Sequence, residues 1–135
     1  MRLESVLPPR VPVRRCLVVD DSPVSRDLFR SALRRIPGVR VTLAADGAEA
    51  LRALSRERFD LVLADLDAPV LGALALTARL RGGESGRSVP VVVVAAGREE
   101  DLRPYARELG VSAWMRRPVQ AATLQRVARG LLNIP

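Results

Sequence analysis

The chain predicts an α/β fold, a five-stranded parallel sheet with helices on both faces. Three observations carry this. Five short apolar runs end in turn signals; stretches of helical spacing follow them; and two of the runs, LVLAD and VVVVA, are apolar almost throughout. Strand and helix alternating five times implies parallel pairing through crossover helices. A strand covered on both faces loses the polar alternation of a half-exposed one.

The strands are expected at residues 16–20, 40–44, 61–65, 91–95 and 113–115. The first helix opens on Ser22 as N-cap with Pro23 at the first helical position, where its fixed φ suits the turn. Val24, Leu28, Ala32, Leu33 and Ile36 then repeat at helical spacing. The second starts from Asp46, with Glu49 three residues on in a capping-box arrangement, and carries Leu51 and Leu54 inward. The third, about 72–80, is rich in alanine and leucine and stops before the Gly82–Gly83 break. Leu102, Tyr105, Ala106 and Leu109 mark the fourth. Glu99, Glu100 and Asp101 complement its N-terminal dipole, and Pro104 leaves its start open by a few residues. The last runs through Leu124, Val127, Ala128, Leu131 and Leu132. Phe59, Cys16 and Tyr105 read as core or half-buried packing.

Composition narrows the function classes. At 135 residues, 48% hydrophobic and 27% charged, the chain is one globular domain by size and balance. No apolar run approaches the ~20 residues that span a bilayer. Residues 1–14, MRLESVLPPRVPVR, lack the apolar segment of a signal peptide, and their three prolines suggest an extended arm or linker before a domain at 15–135. One cysteine permits neither a disulfide framework nor a zinc cluster. A cytoplasmic location is the expectation. There is no histidine, and all 22 basic residues are arginine, which excludes histidine and lysine chemistry within the chain. The net charge of +7 favours acidic partners. Nucleic acid is not the expected partner, because the arginines are scattered and only four aromatic residues are present for stacking.

A parallel sheet binds ligands at the carboxyl ends of its strands, where the strand order reverses. For the flavodoxin-like order 2-1-3-4-5, that point lies between strands one and three. Asp20 and Asp21 close the first strand and Asp65 closes the third. Three carboxylates in one crevice raise one another's pKa unless a cation compensates. A donor set of oxygens alone points to a hard ion, Mg²⁺ or Mn²⁺, and such a pocket suits phosphoryl chemistry. Asp46 and Asp60 read as helix caps or solvated residues.

The motifs VVDDS, FDLVLADLDAP and GVSAWMRRP, with the apolar strand after Val89–Pro90, resemble a response-regulator receiver domain over nearly all of residues 15–133. The resemblance implies that Asp65 accepts a phosphoryl group from a histidine kinase or histidine phosphotransfer protein. It implies that Asp20 and Asp21 bind Mg²⁺, with the backbone carbonyl of Asp67 completing the ligation. It also implies output to a downstream signalling protein through the helix 4–strand 5–helix 5 face. Pro69 falls where the family has its proline. Departures accompany the matches. Ala95 replaces the family's threonine or serine, Arg117 replaces its lysine before Pro118, and Gly72–Ala73 replaces a common aspartate–glycine pair. Asp67 adds a fourth carboxylate beside the pocket. Trp114 stands at the switch aromatic, either capping a sheet edge or held inward by the space at Ala95. Arg117 either pairs with the acidic cluster or grips phosphate.

Two versions of a receiver follow: a Mg²⁺-dependent phosphoacceptor with an atypical switch, or a pseudo-receiver binding its partner without phosphorylation. Catalysis beyond self-phosphorylation and dephosphorylation is not expected. A small nucleotide- or phosphate-binding enzyme is the alternative from another class, although no glycine-rich loop follows the first strand. The chain reads either as a stand-alone receiver or, with its arm as a linker, as a fragment of a larger protein.

Overall fold

The computed structural model describes residues 11–83 and 88–135. Its sheet has five parallel strands in the order β2-β1-β3-β4-β5: β1 (Arg14–Val19), β2 (Val39–Ala44), β3 (Leu61–Asp65), β4 (Val91–Ala95) and β5 (Ala113–Arg116). The helices are α1 (Pro23–Arg34), α2 (Gly47–Arg56), α3 (Ala73–Gly82), α4 (Arg103–Leu109) and α5 (Ala121–Leu131). The expected fold class, strand order and all ten elements are observed. Strand β1 begins two residues early because Arg14 and Arg15 pair through their backbones with Val39 and Arg40, a pairing that apolarity cannot signal. Residues 1–10 of the expected arm lie outside the described residues.

Alternation along the buried strands feeds two separate cores. Leu17, Val19, Val62, Ala64, Val91, Val93 and Ala95 face the side of α2 and α3, with Trp114 packed against them. Cys16, Val18, Leu61, Leu63, Val92 and Val94 face α1 and α5, where Phe29, Leu33, Ile36, Leu124 and Ala128 cover them. Each fully buried Leu or Val stabilises the fold by ~1.5–3 kcal/mol in transfer terms, so the two layers hold the strand ends in fixed register.

Local chemistry sets the helix starts above those ends. Ser22 caps α1 by accepting from the Ser25 N–H at 3.3 Å. Asp46 accepts from the Glu49 N–H at 2.8 Å, and Glu49 reaches back to the Ala45 N–H. Gly47 lies against the loop after β3, where a Cβ would collide with Leu71; its N–H donates to the Pro69 carbonyl at 3.0 Å. That loop therefore closes tightly behind Asp65. Helix α4 is short, preceded by a 3-10 turn at Glu100–Leu102, and ends on Gly110 at φ 97°, a left-handed cap that suits glycine.

Four apolar expectations fail: Val24 is 75% exposed, Leu28 50%, Leu102 37% and Tyr105 55%. The buried stripe of α1 keeps the expected Ala32, Leu33 and Ile36 and takes Phe29 in place of Val24 and Leu28. Tyr105 lies on the outer face of a seven-residue helix that buries only Ala106. The third helix also continues through Gly82, with Gly83 as its cap.

Candidate functional site

The turn between β1 and α1 builds the centre. Asp20 follows β1 directly, its N–H donating to the Ala44 carbonyl at 3.0 Å, and its side chain is only 2% exposed. Its Oδ1 accepts from the Ser22 N–H at 2.9 Å, so the capping turn of α1 also orients the carboxylate. Asp21 stands exposed beside it, and Asp65 is half-buried at the end of β3. One carboxylate oxygen from each of Asp20, Asp21 and Asp65 lies within 4.8 Å of the others. The three acids expected to converge do so.

A cation from the far side of the sheet completes the cluster. Arg117 follows β5; its Nη2 donates to Asp20 Oδ2 at 2.6 Å and lies 3.7 Å from Asp65 Oδ2. Its Nη1 donates to Ser25 Oγ at 3.0 Å, and its guanidinium carbon lies 5.7 Å from the centre of the Phe29 ring. Of the two readings of Arg117, this arrangement is the ion pair. Burial pushes the Asp65 carboxyl above its ordinary value. The Asp67 N–H, donating to Asp65 Oδ1 at 3.2 Å, opposes that shift; Asp20 adds to it, Arg117 opposes it and Asp67 adds last. Asp67 itself is exposed and outside the three-acid cluster. Its charge acts on Asp65 from outside that cluster.

Ser25, Arg26 and Phe29 are site residues that sequence reasoning missed. Arg26 Nη1 donates to the Asp20 carbonyl at 2.8 Å. The available signal was spacing: Ser25 and Phe29 are four apart on a helix whose first turn is fixed over Asp20, so both share the face toward the pocket.

The switch positions share the other face of the sheet. Ala95 is fully buried at the end of β4. Trp114 on β5 is in register with Val93, one pleat from Ala95, and is packed against the core cluster that contains Ala95. Its Nε1 is buried with no hydrogen-bond partner among the described residues. Asp46 caps α2 as expected. Asp60 accepts from the Arg15 N–H at 2.8 Å and ties β3 to β1.

The sequence profile of the response regulator receiver domain matches residues 16–129. The chain belongs to that family. The receiver is 34% identical over 110 residues to the sensor histidine kinase RcsC of Salmonella typhimurium, covering 82% of this chain and 11% of the kinase. It is 36% identical over 120 residues to the transcriptional regulatory protein PrrA of Mycobacterium tuberculosis, covering 88% and 50%. The chain thus spans a tenth to a half of these relatives. Among solved structures it is similar to the receiver domain of the sensor histidine kinase PA1611 from Pseudomonas aeruginosa. The TM-score is 0.79 with 33% identity, over 90% of this chain and 98% of that one, and that structure holds a magnesium ion in its active-site cleft. Vibrio cholerae CheY4, at TM-score 0.81 and 24% identity over 88% and 98% of the two chains, shares the fold. Among the described residues, no helix of the receiver is long and apolar enough to cross a membrane.

Proposed function

We propose that the receiver accepts a phosphoryl group on Asp65, with Asp20 and Asp21 as ligands for a divalent cation and Arg117 as the partner of the phosphoryl oxygens. The observation that carries this reading is the three-acid cluster at the strand ends, with the Arg117 Nη2 reaching two of its members. Oxygen donors alone fit Mg²⁺, and the carbonyl of Asp67 would complete the set with the carboxylates of Asp20, Asp21 and Asp65. When bound, the ion would neutralise the acids and the phosphoryl oxygens.

The donor would be a phosphohistidine of a histidine kinase or histidine phosphotransfer protein. An Asp65 oxygen attacks phosphorus, an O–P bond forms, and the N–P bond breaks with its electron pair returning to the imidazole nitrogen. Ser25 and Phe29 anchor Arg117 from the α1 side. Its guanidinium therefore stays at the rim, whether it pairs with a carboxylate or with phosphate. The signal leaves through the face formed by α4, β5 and α5. Ala95 offers no hydroxyl to the phosphoryl group, a loss of ~1.5–3 kcal/mol for a hydrogen bond to a charged acceptor, so the switch is weakened while the chemistry is kept. Acetyl phosphate with Mg²⁺ should label the wild type and not Asp65→Asn. Labelling that survives the substitution refutes the assignment.

Ala95 and the inward Trp114 favour a second reading, a partner-binding module that needs no phosphorylation. It predicts that saturating Mg²⁺ and beryllofluoride leave Trp114 fluorescence unchanged.

A further inference from the structure

We infer that the end of the sheet opposite the acidic cluster seats the domain on an anionic lipid surface, through arginines and two exposed valines. The five strands are parallel, so their amino ends share one end of the molecule with the C-termini of the helices. Each of α1–α5 carries arginine in its last turn there: Arg34, Arg56, Arg79 with Arg81, Arg107 and Arg129. The acids gather at the other end, where Asp46, Glu49, Glu100 and Asp101 stand in the caps and first turns above the strand-end carboxylates.

Arginines at helix ends offset the helix dipoles, and that accounts for only part of this charge. Around the amino ends of β1, β2 and β3, Arg35, Arg40 and Arg58 lie past the last helical residues and add to Arg34, Arg56 and Arg79. Three helix C-termini amount to roughly −1.5 charges, against these six arginines. All six are exposed, and none forms an ion pair among the described residues. The acids described beside them, Glu57 and Asp60, are taken up by Arg15. Glu57 lies 3.7 Å from its guanidinium, and Asp60 accepts from its N–H at 2.8 Å.

The same end carries apolar side chains in the open. Val11 and Val13 are exposed, on a segment fixed against the turn between α1 and β2. The Val11 side chain and the Pro12 carbonyl lie over Gly38, where a Cβ would collide with them, and the Arg14 N–H donates to the Gly38 carbonyl at 3.0 Å. Exposed valines among arginines suit a bilayer surface: the valines enter the headgroup boundary and the guanidiniums pair with lipid phosphates. Nucleic acid fits less well. Phe59 at this end is buried, so no ring is offered for stacking. The helices end on this face, so none lies along it to enter a groove. Seated in this way, the domain holds Asp65 away from the lipid, and the inference neither needs phosphoryl transfer nor opposes it.

The test is flotation of the full chain with phosphatidylcholine vesicles containing about a third phosphatidylglycerol, and with phosphatidylcholine alone. The anionic vesicles should bind it at least about tenfold more tightly and release it as salt rises. Arg35→Gln, Arg40→Gln and Arg58→Gln should each weaken binding about fivefold, the worth of one basic residue near an anionic surface, and the triple variant about a hundredfold. Arg98→Gln with Arg116→Gln and Arg126→Gln removes the same net charge elsewhere and should weaken binding less than about threefold. Val11→Ser with Val13→Ser should weaken it about three- to tenfold. In the wild type, a headgroup spin label should broaden the amides of residues 11–13, 34–40 and 56–58 and spare 65–70 and 98–103. Equal flotation with the two vesicles, equal losses in the two triple variants, wild-type binding by the valine variant, or broadening centred on the acidic end overturns the inference. A duplex oligonucleotide that strips the chain from the vesicles at equal phosphate concentration also overturns it, and assigns the surface to nucleic acid.

Discussion

Replacing Arg117 with methionine removes the positive charge and leaves an aliphatic stem. Asp20, only 2% exposed, then keeps one hydrogen bond to its carboxylate, from the Ser22 N–H. Deleting one partner of a fully buried ion pair costs ~3–5 kcal/mol, but the Arg117 side chain is 30% exposed, and water screens part of the pair. The lost hydrogen bond to a charged acceptor is worth ~1.5–3 kcal/mol, and the ring contact with Phe29 ~0.5–1 kcal/mol. After screening, Arg117→Met should destabilise the receiver by ~2 kcal/mol at neutral pH, a fall in Tm of roughly 6–10 °C for a chain of this size. Urea denaturation of the wild type, Arg117→Met, Asp20→Asn and the double variant measures this directly. The two single losses should not add, since both remove the same contact. Mg²⁺ should stabilise Arg117→Met more than the wild type, because the ion would replace the missing charge. A loss below about 0.5 kcal/mol, or strict additivity in the cycle, would show that Arg117 does not neutralise Asp20.

Asp65 binds its proton more tightly in the folded chain than in the unfolded one, so its contribution is present at low pH and is lost as pH rises from the ordinary value of 3.8 through the raised one. Asp65→Asn should therefore raise Tm at pH 7, with the advantage narrowing as pH falls; an advantage that grows on acidification would reverse the sign. Val70 lies at φ 71° and is 79% exposed, a left-handed conformation unfavourable to a β-branched residue. Val70→Gly should stabilise the chain by ~0.5–1 kcal/mol, the relief exceeding the entropy cost of glycine, and a lowered urea midpoint would refute that strain. The Cys16 thiol is fully buried and pushed up to about 12 by desolvation, with Asp60 adding to the shift. It should resist a disulfide reagent in the native protein and react at the rate of unfolding; prompt modification would contradict its burial.

The apolar runs, their caps and the strand-end acids were legible in the sequence because each depends on residues near in the chain. Ser22–Pro23 and Asp46–Glu49 fix helix starts through contacts three residues long. Two aspartates after a buried strand and one after another converge once a parallel sheet is accepted. Arg117 was legible as a charge before a proline, but its pairing was not. That pairing joins β5 to β1 across 97 positions, and it needs the α1 side to supply Ser25 and Phe29. The exposure of Val24, Leu28 and Tyr105 was likewise hidden, since periodicity gives the width of a helix face and not the rotation that packing selects. The amino-acid order by itself determined the fold and the acidic half of the site. Only tertiary packing decided which cation meets those acids and where Trp114 lies, because both depend on side chains brought together by the sheet and not by the chain.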